Sequence, residues 1–76
     1  MEKTLNQLEE QKEAKIIEIK GGVSFNKKLA ELNIRVGKNI KKLASQPFMG
    51  PVVVEIGNTE ITLGRGMAGK IYVEEI

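Results

Sequence analysis

The fold turns on one stretch, Val52-Val53-Val54-Glu55-Ile56-Gly57-Asn58-Thr59-Glu60-Ile61-Thr62-Leu63. Gly57-Asn58 is a two-residue turn signal between two short runs rich in β-branched residues. A two-residue loop sets Ile56 against Thr59, Val54 against Ile61 and Val52 against Leu63. These pairs share one face, and only Thr59 among their members is polar, so the register and the turn agree. The opposite face sets Glu55 against Glu60, a mildly repulsive pair. Lysines from a neighbouring strand are expected to offset it.

Working outward, Gly64 to Gly69 reads as a glycine-rich connection. Ile71 to Glu74 is a last strand, with Ile71 and Val73 inward and Tyr72 outward. Upstream, Lys38 to Ala44 and Glu13 to Lys20 are strands whose alternation breaks, at Ile16-Ile17 in one and between Ile40 and Leu43 in the other. Such breaks mark bulges, which bend strands as a small barrel requires. Between them, Val23 to Leu32 carries Phe25, Leu29 and Leu32 at helical spacing, with Lys27, Lys28 and Glu31 mostly on the other face. Ser24 is the candidate N-cap, and Asn33 can take the left-handed conformation that ends a helix. Thr4 to Glu10 is a helical turn in which Thr4 and Gln7 occupy capping-box positions. Its Leu5 and Leu8 must dock on the rest, because one turn does not persist alone in water.

The expected fold is mainly β with one inserted helix: a small SH3-like β-barrel of about five strands plus short helical turns, in a single domain over residues 1–76. An open α+β sheet with the helix on one face is the alternative. A chain of 76 residues buries only about 60–65% of the surface its unfolded form exposes. It has no Cys to staple it.

Composition narrows the chemistry. There is no His and no Cys, and all ten acids are Glu. That excludes Ser/His/Asp and Cys/His triads, His-based zinc sites, EF-hands and P-loop NTPases. The string Gly64-Arg65-Gly66-Met67-Ala68-Gly69 matches Gly-x-Gly-x-x-Gly. A nucleotide fingerprint needs a helix after it, however, and the residues that follow read as a strand. Net charge is +2, and the bases are mostly Lys rather than the Arg that reads base edges. Lys27, Lys28, Arg35, Lys38, Lys41 and Lys42 form a basic middle third. It reads as a solvated rim, or as the complement of an acidic protein partner. Only Phe25 lies near it, so the interleaved aromatics of a nucleic-acid face are missing. No apolar run is long enough to span a membrane, and the polar N-terminus shows no secretory signal, so a cytoplasmic module is expected.

The loop Ser45-Gln46-Pro47-Phe48-Met49-Gly50-Pro51 places two large apolar residues between stiffening prolines. Phe48 and Met49 either cover an open end of the barrel or meet a partner.

Taken in order, Leu5-x-x-Leu8, Ala14-x-Ile16, Gly21-Gly22, Leu29-Ala30-Glu31-Leu32-Asn33-Ile34-Arg35-Val36-Gly37, Pro47-Phe48-x-Gly50-Pro51 and Ile61-x-Leu63-Gly64-Arg65-Gly66-Met67-Ala68-x-Lys70-Ile71 closely resemble the FeoA family. That family comprises small accessory proteins of bacterial ferrous iron uptake. The resemblance spans Leu5 to Glu74 and implies an SH3-like barrel with an inserted helix. It implies no catalytic residues. No cofactor is expected, and the lack of His, Cys and Asp makes this chain a poor candidate for tight ferrous binding of its own. The implied partner is the cytoplasmic part of FeoB, a GTP-dependent ferrous iron transporter. The barrel is also similar to the C-terminal domain of iron-dependent repressors. Family members often have Gly where this chain has Gln11, Asn33 and Met49, and Pro where it has Val36.

The resulting expectation is a monomeric, non-enzymatic accessory protein that modulates such a transporter by contact. Phe48 and Met49 would be the apolar anchors, and Lys27, Lys28, Lys41 and Lys42 an electrostatic rim. The rival classes are a nucleic-acid-binding small barrel and a metal-responsive regulatory domain.

Overall fold

The computed structural model describes residues 2–48 and 50–76. In chain order the elements are β1 (Glu2–Thr4), β2 (Glu13–Ile19), α1 (Gly22–Glu31), β3 (Asn39–Ser45), β4 (Val52–Ile56), β5 (Thr59–Leu63), α2 (Arg65–Ala68) and β6 (Ile71–Glu75). The strands form one antiparallel sheet in the order β1-β6-β2-β3-β4-β5, curled into a small barrel-like wall.

The β4–β5 hairpin has the expected register: Val52 opposite Leu63, Val54 opposite Ile61, Ile56 opposite Thr59 and Glu55 opposite Glu60. Gly57 supplies the positive φ, 61°, that the tight turn demands. On β3, Lys41 sits opposite Glu55 on one side and Glu13 on the other, so a lysine does flank the repulsive Glu pair.

Both breaks in alternation are bulges. The β2–β6 register shifts between Ile16 and Glu18, and the β3–β4 register shifts between Lys42 and Ala44. The extra residues are Ile17 and Leu43, each part of the irregularity visible in the sequence pattern.

The turn after β1 makes one arm of the expected capping box, while the Gln7 N–H donates to the Thr4 backbone carbonyl instead of the Thr4 hydroxyl. The Gln7 Oε1 accepts the Thr4 N–H at 2.8 Å, and Leu5 and Leu8 are fully buried. With Leu29, Ile34, Ile40, Val54, Leu63, Ile71 and Val73 they form the core. Ile71 and Val73 point inward, as their alternation predicts.

Several expectations are corrected. A sixth strand, β1, which was not expected, pairs with β6 and meets the expected turn of Thr4 to Glu10 only at Thr4. It is three residues long and has no apolar pattern of its own. The glycine-rich connection contains the short helix α2. The N-cap of α1 is Gly21, and no side chain caps the helix, so Ser24 lies within it. On α1 only Leu29 is fully buried. Phe25 is half-buried, and Leu32 is 42% exposed. The helix therefore leans on the barrel through Leu29, while Phe25 and Leu32 lie on its flank. Asn33 does take the left-handed conformation, with φ 67°.

Candidate functional site

The loop from β3 to β4 is pinned at its base. The Gln46 N–H donates to the Pro51 carbonyl at 3.0 Å, and the Gly50 N–H to the Pro47 carbonyl at 3.2 Å. Gly50 is required there, because a Cβ would lie 2.9 Å from the Gln46 Cβ. The side wall of the loop comes from two distant segments. The Arg65 Nη1 donates to the Gly50 carbonyl at 3.4 Å, and the Glu10 Oε2 accepts the Ser45 N–H at 2.7 Å. A third contact steadies the Leu43 bulge, whose carbonyl accepts the Gln11 Nε2–H at 2.9 Å.

At the tip of this turn Phe48 is 99% exposed and has φ 58°. A left-handed aromatic residue carries strain of about 1–2 kcal/mol. That strain is held by the loop base and aims the ring outward. Of the two readings of this loop, covering the barrel end is therefore corrected for Phe48, whose ring covers nothing. Met49, the second expected anchor, lies outside the described residues.

The four lysines expected to form one rim do not converge. Lys27 and Lys28 are exposed on α1. The register places Glu13 opposite Lys41, with Ser45 running on one way along β3 and Lys20 the other way along β2. The Phe48 loop and the start of α1 are thus at opposite ends of this strand pair. Lys41 is half-buried between Glu13 and Glu55 in register.

Lys42 corrects the sequence reading most sharply: it is only 3% exposed. Its Nζ donates to the Asn6 backbone carbonyl at 2.9 Å. Strand alternation accounts for this, because Ile40 and Lys42 share the inward face that Lys41 avoids. Burial, reinforced by the Arg65 guanidinium, pushes the Lys42 ammonium below its ordinary pKa, and Glu10 partly opposes the shift. The Asn6 Nδ2 donates to the Arg65 carbonyl at 3.0 Å, leaving the buried Asn6 Oδ1 without a partner among the described residues. Asn6, Lys42 and Arg65 thus tie the first turn, β3 and α2 together beneath the loop.

In the sequence Arg65 stands within the glycine-rich string and the family-like motif around it, with no role of its own. Its tie to Gly50 joins segments 15 residues apart and has no signature in the sequence pattern. The donor set for a resident transition metal is thin: the chain has no His, Cys or Asp, and no three Glu converge among the described residues.

Comparison with known proteins gives one consistent result. The model of the FeoA domain family matches residues 3–75. The putative Fe(2+) transport protein A of Methanocaldococcus jannaschii is 32% identical over 66 residues, covering 87% of this chain and 78% of that protein. A crystal structure described as iron uptake regulatory protein (FeoA) superposes with a TM-score of 0.90 at 26% identity, covering 100% of this chain and 99% of the other. The structure of ScaR with bound Zn2+ superposes with a TM-score of 0.86 at 27% identity. It matches 96% of this chain but only 36% of ScaR.

Proposed function

The chain belongs to the FeoA family, and from that premise we propose that this accessory protein of ferrous iron transport docks on the cytoplasmic part of a FeoB-type, GTP-dependent transporter. The observation that carries the reading is Phe48, presented at 99% exposure on a turn locked from both sides. An exposed ring on a pre-ordered loop loses little entropy on docking, so most of its burial energy appears as affinity. An aromatic anchor that fills a partner pocket typically costs about 2 kcal/mol or more when truncated, roughly thirtyfold in affinity. The action is contact rather than catalysis.

The electrostatic contribution to this contact is modest. Lys42 is buried, Lys41 is flanked by Glu13 and Glu55, and Lys27 and Lys28 lie on α1, which starts at the other end of the β2–β3 pair. The proposal therefore predicts binding whose affinity depends weakly on salt. Calorimetric titration of the chain into the transporter in neutral detergent tests this. Saturable binding, little changed between about 0.1 M and about 0.5 M salt, is expected. No binding, or binding abolished by salt, would refute it.

A further inference from the structure

The β2–β6 ladder ends in a like-charged pair. Its last paired residues are Ile19 opposite Ile71, and one step beyond them the Lys20 N–H donates to the Lys70 carbonyl at 2.8 Å. Ile71 faces the core, so Lys20 and Lys70 share the outer face with Tyr72 and Glu18. Directly opposed like charges weaken a strand pair. Here each ammonium rests on an aromatic ring: the Lys20 Nζ is 4.7 Å from the Tyr72 centroid, and the Lys70 Nζ is 5.1 Å from the Phe25 centroid. Neither is in an ion pair among the described residues, where Lys3 and Glu75 make the one such contact. Glu18 lies beside Tyr72 on the same face without pairing to either lysine.

Helix α1 extends this surface. Phe25, Lys28 and Leu32 are spaced at i, i+3 and i+7 and so lie along one flank. Lys28 is exposed, and Leu32 is 42% exposed. Lys20 and Lys70 thus cover two rings, and Phe25 links them to the helix flank that carries Lys28 and leads to the open Leu32, with no cavity among the described residues.

We propose that this flank is a docking surface for an anionic lipid leaflet, with the ammoniums of Lys20, Lys28 and Lys70 against headgroup phosphates and Leu32 at the headgroup boundary. Two features favour lipid over other anionic partners. A single-stranded nucleic acid would stack bases on open ring faces, but the faces of Tyr72 and Phe25 carry lysines. Spread ammoniums on a flank with an exposed apolar residue, without a recess, suit a diffuse sheet of negative charge with an apolar layer beneath it. Its Lys20–Lys70 pair lies at the opposite end of the β2–β3 pair from Phe48, so it stands independently of the transporter contact.

Co-sedimentation of the chain with vesicles tests the proposal. Vesicles of equal parts phosphatidylglycerol and phosphatidylcholine should retain the chain at low salt and release it at about 1 M salt, where the Debye length is about 3 Å. Each lysine removed from the surface should weaken binding about fivefold, so Lys20→Gln with Lys70→Gln should weaken it about 25-fold. Lys12→Gln, at the opposite end, should bind as the parent does. The double variant relieves a like-charge pair but gives up both ring contacts, so its melting temperature should change by only a few degrees and binding is compared on the folded variant. Equal binding to pure phosphatidylcholine, or parent-like binding by the double variant, would overturn the proposal. Release from vesicles by millimolar inorganic phosphate at constant ionic strength would also overturn it, because it would reveal a small-anion site instead of a lipid surface.

Discussion

Truncating Phe25 and Leu29 of α1 and Leu32 at its C-cap, one at a time, reads how the helix sits on the barrel. Leu29 has no exposed surface and belongs to the buried core, so Leu29→Ala leaves a cavity. Such changes cost 2–5 kcal/mol, and about 3 kcal/mol is expected here. A domain of 76 residues has a total stability of about 4–11 kcal/mol, so this is a large share. At about 4–8 °C per kcal/mol the midpoint should fall by about 12–24 °C. Phe25 is only half-buried, and its ring also seats the Lys70 ammonium. Phe25→Ala should cost about 2 kcal/mol, less than the about 3–5 kcal/mol of a fully buried Phe. Leu32 is 42% exposed, so Leu32→Ala should cost under about 1 kcal/mol. Thermal melts followed by circular dichroism, checked by urea titration, give the order directly. A Phe25→Ala variant less stable than Leu29→Ala would show that the helix is rotated from the position described.

Three other outcomes are expected. Gly21→Ala places a Cβ 2.5 Å from the Phe25 Cδ2 in a backbone with φ 152°, and should cost about 2 kcal/mol; adding Phe25→Ala should make the two costs sub-additive in a double-mutant cycle read by urea titration. Lys42 has a pKa below its ordinary value when folded, so across the alkaline window between its folded and unfolded values the unfolded chain binds more protons and stability rises with pH. The penalty of the buried charge is thus fully present at neutral pH, and urea midpoints should climb with pH in the parent but stay flatter in Lys42→Met. Phe48→Gly relieves left-handed strain of about 1–2 kcal/mol against an unfolded-state entropy cost of about 0.5–1 kcal/mol, so its melting temperature should hold or rise by a few degrees.

Much of the barrel was legible because independent signals coincided. At β4–β5 the turn residues and the alternation demand the same register. The doubled Ile16-Ile17 and the irregular Ile40-to-Leu43 spacing marked bulges because an extra residue must break a period of two. What stayed hidden depended on partners distant in sequence. β1 exists as a strand because β6 is there to pair with it. Phe25 fits the helical period as well as Leu29 does, and only the angle at which α1 meets the sheet decides which is buried. In the candidate site, the sequence singles out Phe48 as an apolar residue between two prolines, but only the fold decides that its ring is exposed and does not cover the barrel end. The loop's tie to Arg65 was not legible. Lys42 was misread from its charge, although the alternation Ile40, Lys41, Lys42 already assigns it to the inner face.

The central claim is that Phe48 is the anchor of the transporter contact. The direct measurement is the dissociation constant of the Phe48→Ala variant for the FeoB-type transporter in neutral detergent, beside that of the parent. The 99% exposure of Phe48 means that the variant keeps the parent fold, verifiable by its NMR spectrum. The account predicts a loss of about thirtyfold in affinity with that spectrum unchanged outside the loop. An unchanged dissociation constant in the folded variant would contradict it.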